Sequence, residues 1–157
     1  MSKISQIFKI EIDLRLTNRE ALESVGIVKG YRNIKIIDKA PRLISTQREF
    51  LSGADIVERE VYVLYEKESL SFTEINDLYQ KNDLEPVDFQ TFCSTLKNKA
   101  KDFNRSCILS WEDFLNNSYA AAFFLLREVE NNRLSVGERG FYSFNAYYLG
   151  FKRGVYV

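Results

Sequence analysis

Residues 55–67 read DIVEREVYVLYEK, and the fold turns on whether this stretch is a helix or a strand. Asp55 with Glu58 three residues on is the pattern of a capped helix N-terminus, and Val57, Val61, Leu64 and Tyr65 recur at helical spacing. Val61-Tyr62-Val63 carries β propensity and pulls the other way. The cap favours a helix over residues 55–67.

Toward the C-terminus, Ser71-Phe72-Thr73-Glu74 is a capping box, in which a serine hydroxyl and a glutamate carboxylate satisfy each other's backbone amides. It opens a short helix with Ile75, Leu78 and Tyr79 inward, ending near Asn82. After a tight connection through Asp83-Leu84-Glu85-Pro86, the positions Phe89, Phe92, Cys93, Leu96, Ala100 and Phe103 form one apolar helical stripe. The opposite face carries Thr91, Ser94, Asn98, Lys101 and Arg105. These three expected helices, over about 55–104, resemble the helix-turn-helix core of winged-helix proteins in order and length. The likeness covers about a third of the chain and rests on element lengths and apolar pattern alone. It implies that Gln90, Thr91, Ser94, Asn98 and Lys101 face a major groove, with Lys97, Lys99 and Arg105 on phosphates. Charge opposes this reading: Glu58, Glu60, Glu66, Glu68, Glu74, Asp77, Asp83, Glu85 and Asp88 crowd the first two helices and the start of the third, where phosphates would meet carboxylates.

Toward the N-terminus, Phe8, Ile10, Ile12, Leu14 and Leu16 alternate with Lys9, Glu11, Asp13 and Arg15, the signature of a half-buried strand. Thr17 and Glu20 form another capping box, starting a helix to about Ser24 that Gly26 ends. Tyr31–Asp38 reads as a second strand, so the first third is β-α-β in order. At the other end, Cys107-Ile108-Leu109 suits a short strand. Ser110 and Asp113 cap an expected long helix holding Trp111, Phe114, Leu115, Ala122, Leu126 and Val129, ended by Asn131-Asn132. Phe123 and Phe124 fall away from its stripe and make it apolar around much of its circumference. The tail from Val136 is dense in aromatics and glycine; propensity allows strands with turns at the glycines, while the spacing of Phe141, Phe144, Tyr148 and Phe151 also fits a helical face and tilts it toward helix.

The expected fold is therefore α+β and a single domain over residues 1–157. A small β-α-β segment in a β-rich, basic part (1–48) packs on four to five helices in a mainly helical part (49–157). The chain has 157 residues, 45% of them hydrophobic and 28% charged, an ordinary globular composition long enough to bury a core without disulfides or metal. Its zero net charge conceals opposed regions: +5 over residues 1–48, −8 over 49–90 and +3 over 91–105. No apolar run approaches the roughly 20 residues of a membrane-spanning helix. The N-terminal residues lack the layout of a signal peptide. Cys93 and Cys107, both inside apolar patterns, read as free thiols of a cytoplasmic protein.

Histidine is absent, which removes the commonest general base near neutral pH and the commonest transition-metal ligand. The acid pairs Glu58/Glu60, Glu66/Glu68 and Glu112/Asp113 lack partners that would tune an acid against a base. Gly137-Glu138-Arg139-Gly140 is too short for a phosphate loop. No catalytic, metal or cofactor site is legible. The expectation is a non-enzymatic regulatory or inhibitory protein that binds and occludes a partner protein through Phe123, Phe124, Tyr147, Tyr148 and Phe151, with a homo-oligomer as one form of that contact. A nucleic-acid-binding regulator using Gln90, Thr91, Ser94, Asn98, Lys101 and Arg105 is the alternative. Richness in Asn, Ile, Lys, Phe and Tyr suits an A·T-rich coding sequence of the kind found in mobile elements and phages.

Overall fold

The structure, a computed structural model, describes residues 4–25, 28–29, 51–68, 70–103, 107–110, 122–128, 133–137 and 146–156. Among them the elements are β1 (Ile4–Asp13), α1 (Asn18–Val25), β2 (Val28–Lys29), β3 (Ile56–Glu66), α2 (Phe72–Lys81), β4 (Leu84–Pro86), α3 (Phe89–Lys99), β5 (Cys107–Ser110), β6 (Ala122–Glu128), β7 (Arg133–Gly137) and β8 (Ala146–Lys152). A 3-10 turn, Ala100–Asp102, extends α3.

The strands form one mixed sheet in the order β1-β3-β8-β5-β6-β7-β2, with β4 also paired to β8. β1, β3, β8 and β4 make a four-stranded antiparallel group. The parallel pairs are β5 with β8 and β2 with β7.

This architecture corrects the expected one of four to five helices on a β-α-β segment: the described residues hold three α-helices set on an extended sheet. The decisive stretch is a strand. β3 pairs with β1 from Asp13↔Ile56 to Ile4↔Leu64, and with β8 from Tyr62↔Gly150 to Glu66↔Ala146. Val57, Val61 and Tyr65 suit a helical face, but they are equally spaced by even steps, and with Arg59 and Val63 they line one face of a strand. Pairing on both sides overrides the local cap signal. The Asp55 carbonyl accepts a 2.8 Å hydrogen bond from the Leu14 amide instead. With its first helix gone, the winged-helix-like trio becomes strand, helix, short strand, helix.

Two further expectations fail for the same reason. Residues 122–128 of the expected long helix are β6, inside the sheet between β5 and β7, while residues 111–121 lie outside the described part. Of the tail, Ala146–Lys152 forms β8, a seven-residue strand with neighbours on both edges, while residues 138–145 lie outside the described part. The expected strand over Tyr31–Asp38 also lies outside the described residues.

Elsewhere local chemistry acts as expected. Thr17 Oγ1 accepts from the Glu20 amide at 3.1 Å and Glu20 Oε1 from the Thr17 amide at 3.0 Å, fixing the start of α1. Ser71 and Glu74 repeat the arrangement at α2. Cys107-Ile108-Leu109 is indeed extended, as β5.

Each sheet face has its own core. On the first, Ile10, Ile12, Val61, Val63, Leu149 and Phe151 pack with Ala21 and Leu22 of α1 and Phe89, Phe92, Cys93 and Leu96 of α3. Phe8, Phe103, Tyr147 and Tyr65 form a chain of ring contacts across it, with centroids 6.0, 5.3 and 5.3 Å apart. On the second, Leu64, Ala146 and Tyr148 pack with Leu84 and with Ile75, Leu78 and Tyr79 of α2. Gly150 makes this approach close: a Cβ there would stand 3.1 Å from the Glu85 carbonyl oxygen, Leu84 Cβ and Tyr79 Cε1.

Candidate interaction face

Directly opposed residues on paired strands share a sheet face. The β1–β3 register therefore puts Ile7, Lys9 and Glu11 on the α2 side, opposite Tyr62, Glu60 and Glu58. Yet α2 packs on only part of that side, over Leu64, Ala146 and Tyr148. Among the described residues nothing packs on the rest of the β1–β3 half beyond Tyr62, which is partly buried against the α2 cluster. Ile7 is 52% exposed, Ile56 54% and Ile4 40%, while Glu11, Glu58 and Glu60 are exposed among them. Ile4 and Ile7 lie toward one end of this half and Ile56, opposite Asp13, at the other, with Glu11, Glu58 and Glu60 between them.

The charges on this face are not arranged for stability. Lys9 faces Glu60, a favourable cross-strand pair, but Glu11 faces Glu58, and like charges directly opposite destabilise a sheet. At the end of β3 beyond Leu64 lies a cavity of about 710 Å³ lined by Glu66, Glu68, Leu70, Glu74, Asp77, Leu78, Lys81 and Asn82. Its walls combine carboxylates with two leucines, a lysine and an asparagine. The α2 helix presents Glu74 and Asp77 to it because Ile75, Leu78 and Tyr79 are drawn to the sheet.

The sequence-derived sites are scattered by comparison. Gln90 and Thr91, each 1% exposed, are buried in the first turn of α3. The Gln90 side-chain amide donates to the Leu16 carbonyl, and the Thr91 amide donates to Asp88 Oδ1 at 3.0 Å. Ser94 is partly buried, Asn98 and Lys101 are exposed, and Arg105 lies outside the described residues. Helix α3 is buried around most of its first two turns because α1 and β1 both pack on it. Of the proposed contact aromatics, Tyr148 and Phe151 are core and Tyr147 is partly buried against it. Phe123 and Phe124 are on β6, opposite Leu109 and Ile108 of β5. The sequence pattern does not disclose this face because the alternation of β1 is legible from Phe8 onward, leaving Ile7 out, and Glu58 and Glu60 fall in an expected helix.

Among the titrating groups that depart from ordinary behaviour, Asp13 lies on this face, opposite Ile56. Cys93 and Cys107 are free and buried, and burial pushes both thiols up, away from the reactive thiolate. Burial likewise raises the Tyr79 and Tyr148 phenols; the Tyr79 hydroxyl donates to the Leu149 carbonyl at 2.8 Å. Asp13 is held below the usual carboxylate range chiefly by its hydrogen bonds to Arg15. Among the described residues, no group of three or more His, Cys, Asp or Glu is placed to hold a metal ion, and no helix is long and apolar enough to cross a membrane. No family model, curated protein or solved structure matches the chain.

Proposed function

We propose that this chain is a non-catalytic interaction protein that binds and occludes a partner protein through the open β1–β3 face. The observation that carries this reading is the contrast within one side of the sheet: α2 covers the β8 half, while Ile4, Ile7 and Ile56 remain exposed on the other. Burying such side chains in an interface gains roughly 25 cal/mol per Å² of apolar area removed from water. The Glu11–Glu58 pairing supports the same reading, since a contact that costs stability in the free chain is typical of residues kept for binding. A non-catalytic role is in keeping with the buried, proton-retaining state of both thiols and of Tyr79 and Tyr148. The nucleic-acid alternative draws less support, because Gln90 and Thr91 are closed off in the core.

The test is co-purification of the tagged chain from its source cells at near-physiological salt, beside a variant carrying Ile7→Lys and Glu60→Lys. A stoichiometric protein that the variant no longer retains, with the variant's circular dichroism unchanged, is the expected result. A nucleic acid as the sole companion, or a companion indifferent to both substitutions, would sink the reading.

A further inference from the structure

We propose that a second copy of this chain pairs with the outer edge of β1, antiparallel and centred on Ile10, so that two sheets join into one across a two-fold axis. This concerns the edge of the sheet and stands independently of the partner proposed for its open face. Among the described residues β1 is a terminal strand: β3 pairs with one side of it and no strand pairs with the other. It is ten residues long and free of proline. Its register irregularity falls between Ile4 and Gln6, outside the stretch from Ile7 to Asp13. An unpaired edge of that length is a ready template for another strand.

Two hydrogen bonds establish which backbone groups face outward. The Leu14 amide donates to the Asp55 carbonyl on the β3 side, and along an antiparallel pair the residues that exchange bonds alternate with residues that do not. Ile12, Ile10 and Phe8 therefore turn their amides and carbonyls to β3, while Asp13, Glu11, Lys9 and Ile7 turn theirs outward. The Glu60 amide, opposite Lys9, accordingly donates to the Tyr156 hydroxyl at 3.1 Å rather than across to β1. The charges then choose the register. Centring on Ile10 sets Lys9 opposite Glu11 of the second copy and Glu11 opposite its Lys9, an unlike pair made twice by symmetry. Asp13, already bonded to Arg15 of its own chain, meets Ile7. Moving the axis to Lys9 or Glu11 would set two lysines or two glutamates against each other, and moving it to Ile12 would set Glu11 against Asp13. In the Ile10 register the second copy's Lys9 also reaches Glu11 from the side away from Glu58, offsetting a like-charge pair that costs the free chain stability.

The experiment is size exclusion with light scattering, and sedimentation equilibrium for the dissociation constant, on the full chain and on charge variants at near-physiological salt. The full chain is expected to form a dimer. Lys9→Glu and Glu11→Lys each place like charges at both symmetric positions, and each should weaken the dimer about tenfold with circular dichroism unchanged. Glu11→Lys also removes the repulsion from Glu58, so a dimer lost there is not a fold lost. Two combinations then test the register itself. The double variant Lys9→Glu with Glu11→Lys restores unlike pairs and should dimerise as the native chain does. An equimolar mixture of the two single variants should form a mixed dimer tighter than either variant makes alone. A chain that stays monomeric at every concentration, a dimer indifferent to the single substitutions, or single variants that neither combination rescues overturns the proposal.

Discussion

The two faces of the sheet are built from the same strands and finished differently. On one, α1 and α3 close over β1, β3 and β8, leaving Ile10, Val61, Val63, Leu149, Phe92 and Phe151 almost without solvent contact. On the other, among the described residues, the ten-residue helix α2 covers the β8 side and the Leu64 end of β3. The first face shows what this chain does when a surface serves stability alone. The second, among the described residues, leaves Ile7, Ile56 and the opposed carboxylates Glu11 and Glu58 exposed.

The comparison breaks most sharply at Phe92, at the centre of the closed face and with no solvent exposure. Phe92→Ala should cost about 3–5 kcal/mol, the range for removing a buried aromatic ring that leaves a cavity. Urea unfolding checks it, as a lower midpoint at constant m value. A loss below about 1 kcal/mol would mean that α3 is not the principal cover of that face.

The next effect tests how tightly α2 sits on its half. Gly150→Val places a branched side chain where even a Cβ meets the Glu85 carbonyl oxygen, Leu84 Cβ and Tyr79 Cε1 at 3.1 Å. Two of these atoms are fixed to backbone and cannot step aside. The expected cost is about 1–3 kcal/mol from overpacking, read by thermal unfolding. A neutral outcome would show α2 free to lift away, and the open face would then extend further than the static packing indicates.

Reading these faces from sequence succeeded where one local signal sufficed. The alternation of β1 and the boxes at Thr17/Glu20 and Ser71/Glu74 were legible because strand period and capping are written in adjacent residues. The stripe of α3 was legible for the same reason. What failed was every segment whose state is decided by a distant strand. Residues 56–66 satisfy both periods, and only pairing with β1 and β8 chooses between them. Residues 122–128 read as helix, and 146–152 lean that way with strands left open, because apolar runs bordered on both sides by other strands need no alternation. The interaction face followed β3 into error: Glu58, Glu60 and Ile7 come together only through the antiparallel register, while Tyr148 and Phe151, chosen for aromatic density, are simply core.

A smaller effect belongs to the contact that ties α2 to the sheet. Tyr79→Phe removes the hydroxyl that donates to the Leu149 carbonyl. That carbonyl also accepts from the Val87 amide at 3.3 Å, so the carbonyl is not left wholly unpaired. The expected loss is about 1 kcal/mol, the net worth of one ordinary hydrogen bond, measured by chemical denaturation. A loss of several kcal/mol would mean that the weaker Val87 bond cannot compensate in the native chain.

The smallest effect is expected at Ile7, and its size is what separates a binding surface from a core. Ile7 and Ile10 are three residues apart on one strand, but the odd spacing turns them to opposite faces, one 52% exposed and the other 1%. Ile10→Ala should cost about 2–5 kcal/mol as a buried truncation. Ile7→Ala should change stability by no more than about 0.5 kcal/mol, the usual scale for a surface site. The two variants need only parallel thermal melts. If Ile7→Ala costs as much as Ile10→Ala, Ile7 is supporting the fold and the open face loses its reason to be called a binding surface. If it costs almost nothing, Ile7 gives the fold no structural return, as the proposed contact requires.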